Sequence, residues 1–97
     1  MKDFNPSKGI IVYNDFNLDL SKPIIDQKNF LKEDLLQISF LDNYLLDLGW
    51  YPEGNTNGKF ILHIIKDFDW EKPILKKEIN YGINIYKEIN DTLELFS

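Results

Sequence analysis

The chain has no cysteine, no arginine and no alanine among its 97 residues. Without cysteine, disulfides and thiolate metal sites are excluded, and a reducing compartment is the natural setting. Without arginine, the bidentate fork that grips phosphates and guanines is missing, since all 11 basic residues are lysines. Set against 16 acidic residues, they leave a formal net charge of −5. That balance argues against nucleic-acid binding and favours cationic partners, whose encounter it speeds. No apolar run approaches the ~20 residues of a membrane helix. The opening MKDFNPSKG is polar, so no signal segment is read there. The expectation is a cytoplasmic protein without a membrane partner.

What is present suffices for a folded globule. Hydrophobic residues make up 43% and aromatics 14%, well outside the composition of a disordered chain. The length fits one domain spanning residues 1–97. Residues 9–16, GIIVYNDF, are β-branched and aromatic and read as a strand. Residues 17–33 read as irregular with at most a short helix, because Pro23 can open one turn and Asn29 to Glu33 another.

Alternation then becomes regular. Leu36, Ile38 and Phe40 share one face of a strand over 34–40, and Leu46, Leu48 and Trp50 share one face of a strand over 45–51. Matching those faces across a hairpin places Phe40 opposite Leu46 and Leu36 opposite Trp50, with Asp42-Asn43-Tyr44 as a three-residue turn. A two-residue turn would oppose Ile38 with Asp47 and bury a lone carboxylate. Residues 59–66, KFILHIIK, are apolar on both faces and read as the central strand, and 73–79 as an edge strand tolerant of Pro73 and the Lys76-Lys77 pair. Ile79, Ile83, Tyr86, Ile89, Leu93 and Phe96 form a helical stripe, with Asn80 as its N-cap and Gly82 weakening its first turn. The fold class is therefore α+β: an antiparallel sheet of four to five strands with a C-terminal helix packed on one face.

Residues 45–72 gather both tryptophans, the single histidine and three of the five glycines, yet they spell no catalytic motif. His63 lies between Ile61 and Ile65 on its strand face, with no triad partner at a useful spacing, and reads as a partly buried structural residue. One histidine is too few for a transition-metal site. Asp67, Asp69, Glu71 and Glu78 echo calcium-loop spacing, but Lys72 replaces the turn glycine and Pro73 follows it. The EGNTNG loop at 53–58 lacks the residues of a phosphate cradle. A protein without enzymatic activity or cofactor is the reading. Trp50 belongs to the apolar face, whereas Trp70, set between Asp69 and Glu71 in a turn, is a candidate interface anchor.

Several strings carry a resemblance: DLLQISF, YLLDLGWYPEG, GKFILHIIKDFDWEKPI and the terminal amphipathic helix, together covering residues 34–96. The sharpest parts are Gly49-Trp50-Tyr51-Pro52 and the corners Ile65-Lys66-Asp67 and Asp69-Trp70-Glu71. They resemble small bacterial immunity proteins, the cognate inhibitors of polymorphic toxins and of contact-dependent growth inhibition systems. The resemblance implies a protein that binds a toxin domain, often a cationic nuclease, one-to-one in the cytoplasm and occludes it. The contact residues expected on chemical grounds are Asp42, Asp47, Glu53, Asp67, Asp69 and Glu71, with Tyr51 and Trp70 as aromatic anchors. Because loops alternate between strand ends, Asp67 to Glu71 should join Asp42 and Asp47 in one patch, away from residues 53–58. The competing expectation is a structural module that assembles into homo-oligomers through a sheet edge or its helix.

Overall fold

A computed structural model of the chain describes residues 4–96. Among them, five strands form one antiparallel sheet in chain order: β1 (Ile10–Asn14), β2 (Leu36–Phe40), β3 (Tyr44–Tyr51), β4 (Lys59–Lys66) and β5 (Leu75–Ile79). One α-helix, α1 (Ile85–Leu95), follows. This is the α+β arrangement expected, with β1 and β5 as open edges rather than a closed barrel.

Side chains alternate across a strand, and the three central strands each commit one parity to the core. Leu36, Ile38 and Phe40, Leu46, Leu48 and Trp50, and Phe60, Leu62 and Ile64 are all buried on one face. They join Ile85, Ile89 and Leu93 of α1 in a single cluster. Each such side chain gains roughly 1.5–3 kcal/mol by leaving water, so this face is what the helix is held by. An ion pair from Lys77 to Glu88 adds a tie between β5 and α1.

The long β1–β2 connection contributes Phe16, Leu18, Leu31 and Leu35 to the same cluster. Its 3₁₀ helix, Ile24–Phe30, opens after Pro23. Gln27 is buried there: its Oε1 accepts from the Asp19 N–H at 2.6 Å, and its Nε2 donates to the Asp19 carbonyl at 2.9 Å. Tyr81 Oη donates to the Lys22 carbonyl at 2.8 Å, pinning the connection to the segment that precedes α1. The second helical turn expected at 29–33 forms earlier: Gln27 (φ −126°, ψ 23°) kinks the helix, and the second turn ends at Phe30, with the Leu31 N–H donating to the Lys28 carbonyl at 3.3 Å. Residues 31–35 run beside β3 instead, with the Trp50 N–H donating to the Lys32 carbonyl at 2.8 Å and the Leu35 N–H to the Leu48 carbonyl at 3.0 Å. Glu33 and Asp34 bulge between these bonds and cross the outer face of β3 at Gly49. A Cβ at Gly49 would lie 1.9 Å from the Glu33 carbonyl oxygen.

Two expectations need correction. In the β2–β3 hairpin the faces match as anticipated, but the register lies two residues away, with Phe40 opposite Tyr44 and Leu36 opposite Leu48. The three-residue turn is Leu41-Asp42-Asn43. Leu41 and Asn43 take left-handed backbone angles, φ 47° and 62°, which lets Tyr44 extend β3. Its ring then lies 5.5 Å from Phe40 and 5.9 Å from Phe96. The helix also starts later than its stripe suggested. Ile79 is committed to β5 opposite Phe60, and Gly82 turns the chain at φ 99°. The N-cap is therefore Asn84, whose side chain accepts from the Lys87 N–H at 3.2 Å. Ile83 is left exposed, Tyr86 stacks on Phe4 at 5.2 Å, and the buried stripe is Ile85, Ile89, Thr92 and Leu93.

Gly49 is where a main-chain crossing leaves no room for a side chain. Gly49→Ala is expected to cost at least about 2 kcal/mol by overpacking, read as a lowered urea midpoint. An unchanged midpoint would show that residues 33–34 can lift away from β3.

Candidate protein-binding surface

The two loops at one end of the sheet do something the sequence does not advertise. Among the described residues, four non-glycine residues have positive φ, and all four lie there: Leu41 and Asn43 in the β2–β3 turn, Asp67 and Phe68 in the β4–β5 loop. The loops touch through the Asp67 N–H, which donates to the Asn43 carbonyl at 2.9 Å. Asp67 and Phe68 occupy the centre of a tight reversal closed by the Asp69 N–H donating to the Lys66 carbonyl at 3.1 Å. Positive φ at both central positions is the signature of a type I′ turn, which favours Asn-Gly. Asparagine and aspartate tolerate this region, whereas leucine and phenylalanine are held in it at a cost of roughly 1–3 kcal/mol each.

That cost presents apolar surface to solvent. Phe68 is 72% exposed, Leu41 56% and Trp70 49%, with Ile74 beside them in the chain. A groove of about 550 Å³ lies between the loops, with Leu41, Asp42, Asn43 and Tyr44 on one side and Phe68 on the other. Asp42, Asp67, Asp69 and Glu71, carried by the same two loops, are all exposed. Lys66 and Lys72 stand nearby, and the Lys66 ammonium sits 5.5 Å over the Tyr44 ring, so the corner keeps an acidic balance. Exposed aromatics within a charged rim are the composition of a protein contact surface rather than of a reaction site.

Five of the eight expected contact residues, Asp42, Asp67, Asp69, Trp70 and Glu71, thus meet at this corner. The other three do not. Tyr51 ends β3 at the opposite end of the sheet, next to a cis Tyr51–Pro52 bond. Glu53 follows it, and its carboxylate accepts from the Glu33 N–H at 3.3 Å. Asp47, expected in the same patch as Asp42, is only 4% exposed. It occupies the middle of β3 on the face away from α1, in a row with Gln37 and His63. Gln37 Nε2 donates to Asp47 Oδ1 at 3.0 Å, and His63 Nδ1 lies 3.9 Å from Oδ2. Burial raises the Asp47 carboxyl above its usual range; the Gln37 hydrogen bond opposes this, Asp34 adds to it, and His63 opposes it. The Tyr51 phenol is also raised, first by burial and then by Asp47, Glu33 and Asp34. The two exposed apolar residues of this corner missed in the sequence are Leu41 and Phe68. The one signal available was an Asp-Phe pair, without glycine, where two strands reverse.

Other chemistry is sparse. Among the described residues, no group of three or more His, Asp or Glu side chains is placed to hold a metal, and Glu78 lies mid-strand opposite Ile61 rather than closing a loop with Asp67. A wider groove of about 1450 Å³ lies between residues 4–5, the start of the β1–β2 connection and α1. Three of its asparagines accept from the backbone: Asn14 from the Phe16 N–H, Asn84 from the Lys87 N–H and Asn90 from the Ser7 N–H. No helix among the described residues is long and apolar enough to cross a membrane. No family model matches the chain, and neither a curated protein nor a solved structure matches it.

Phe68→Gly should relieve the turn and raise stability by up to about 1 kcal/mol, because little packing is lost at so exposed a side chain; a lower thermal midpoint would contradict the strain. Asp47 makes a pH-dependent prediction. Its folded-state pKa is raised, so the folded protein holds this proton more tightly than the unfolded chain. The stability this gives is full below the ordinary carboxylate range and is lost as pH rises through it to the raised value. Asp47→Asn should therefore gain stability relative to the parent at neutral pH and lose that advantage in acid. Paired urea titrations at about pH 7 and about pH 3, either side of the carboxylate range, check it.

Proposed function

We propose that this chain is an immunity protein: a cytoplasmic bacterial inhibitor that binds a cationic toxin domain, in the first instance a nuclease, one-to-one and occludes it. The observation that carries the reading is the corner where strained turns hold Leu41 and Phe68 out beside Trp70 within a rim of Asp42, Asp67, Asp69 and Glu71. Surface built at a cost to stability has a use that recovers it, and burial against a partner is such a use. The acidic rim supplies long-range attraction to a basic cleft, and the apolar centre supplies a slow off-rate. Occlusion of this kind requires neither catalysis nor a cofactor from the inhibitor, and it engages neither nucleic acid nor membrane. The resemblance of residues 34–96 to immunity proteins supports the same class. The second reading is an assembly module without inhibitory role, favoured by the apolar, exposed edge of β1.

The test begins with the protein encoded immediately upstream. If it ends in a toxin domain, that domain should form a tight complex with this chain. Asp69→Lys with Glu71→Lys should then slow association about tenfold or more at low salt, with the difference shrinking as ionic strength rises. Phe68→Gly should instead speed dissociation. A complex whose rates ignore all of these changes would remove the corner from the interface, and a metabolic neighbour would remove the class.

A further inference from the structure

The loop joining β3 to β4 holds the one asparagine that glycine follows, Asn57-Gly58, and Asn57 is exposed. In such a pair no Cβ shields the glycine nitrogen, which makes it the backbone amide best able to attack the side chain before it. Attack forms a bond from the Gly58 nitrogen to Asn57 Cγ and breaks the bond from Cγ to Nδ2. The proton of the Gly58 N–H leaves with Nδ2 as ammonia, and the product is a cyclic succinimide. Water then opens the ring at either carbonyl, giving aspartate, or isoaspartate with the main chain running through Cβ and Cγ. We infer that Asn57 is a deamidation site gated by this loop: it keeps its amide while the loop is closed, converts when the loop opens, and as isoaspartate bars the loop from closing again.

The closed loop withholds the nucleophile. The Gly58 N–H donates to the Asn55 carbonyl at 3.0 Å, closing a β-turn over residues 55–58. That bond holds the proton that must leave before the nitrogen attacks, as it holds it against exchange with water. The Asn57 N–H donates to Asn55 Oδ1 at 2.8 Å, so a side-chain turn fixes the backbone of the reacting residue as well. The Asn55 carbonyl also accepts from the indole N–H of the buried Trp50 at 2.7 Å, which anchors the turn to the core. Isoaspartate defeats this arrangement, because it inserts an extra backbone atom between Asn55 and Gly58. Gly58 has no room to take up the added length: a Cβ there would lie 2.4 Å from the Tyr51 carbonyl oxygen and 2.8 Å from Trp50 Nε1. The turn bond and the seat of Gly58 against β3 then cannot both be kept. Aspartate has the ordinary backbone and fits the closed loop. Tyr51 pairs with Lys59 at the far end of β3 and β4 from Tyr44 and Lys66, so the site stands or falls independently of the toxin reading.

The test incubates the intact protein in mildly alkaline buffer, folded and in urea, and follows the peptide containing Asn57 by mass spectrometry, with isoaspartate separated from aspartate by chromatography. Conversion at Asn57 should be about tenfold or more slower in the folded protein. Asn55→Ala removes the Oδ1 clamp and leaves both bonds to the residue 55 carbonyl. It should speed conversion in the folded protein and leave the rate in urea unchanged. In the isolated isoaspartate form, the Gly58 N–H and the Trp50 indole N–H should exchange with solvent faster than in the parent. Asn57→Asp, which adds the charge without the extra atom, should exchange as the parent does. Equal rates in the folded protein and in urea, or no conversion in either, would overturn the inference. So would an isoaspartate form in which both N–H groups stay protected.

Discussion

The eight-residue pairing of β3 with β4, unbroken from Tyr44 opposite Lys66 to Tyr51 opposite Lys59, is the constraint on which the rest of the molecule depends. It settles which side chains share a face. Trp50 meets Phe60 edge-on at 5.0 Å, and the Trp50 indole N–H donates to the Asn55 carbonyl at 2.7 Å. Gly58 stays bare because a Cβ there would lie 2.4 Å from the Tyr51 carbonyl oxygen. The pairing also settles which loops share an end. Once Tyr44 stands opposite Lys66, the β2–β3 turn must meet the start of the β4–β5 loop, and residues 52–58 must lie at the other end.

Against that well-packed centre, the departures from a stability optimum fall in two places and differ in kind. At the corner, backbone strain at Leu41 and Phe68 accompanies exposed apolar surface. On the sheet face away from α1, Asp47 is buried but answered by Gln37 and His63. The Gln37 amide ties it to β2, while burial outweighs its neighbours and keeps the carboxyl raised. Both places are acidic; solvent access separates the exposed corner from a polar element sealed within the sheet.

Much of the fold was legible because periodicity reports directly on burial. The parity of Leu36, Ile38 and Phe40 against Leu46, Leu48 and Trp50 survives in the structure, as does the odd-length turn it demanded. Parity, however, fixes a register only to within two residues. The choice fell to left-handed angles at Leu41 and Asn43 and to the contacts of Tyr44 with Phe40 and Phe96, a residue far along the chain. The helical stripe was ambiguous in a similar way, since Ile79 fits a helix by spacing yet belongs to β5 by pairing. Residues 17–35 had no readable period because a buried amide, Gln27, and a main-chain crossing at Gly49 order them.

For the candidate surface, the sequence alone determined its chemistry: an arginine-free, acidic chain whose carboxylates cluster around Trp70, suited to a cationic partner. It also placed Asp42 at the same end as Asp67, Asp69 and Glu71, because strands that alternate in direction sort their loops by number. Only the tertiary structure decided that Asp47 is sealed within the sheet, that Tyr51 and Glu53 stand at the far end, and that Leu41 and Phe68 are thrust outward. Composition and alternation are properties of each residue and its near neighbours, and they can be read in one dimension. Burial of a carboxylate and strain at a turn depend on what the rest of the chain places beside them, and that is settled only when the strands pair.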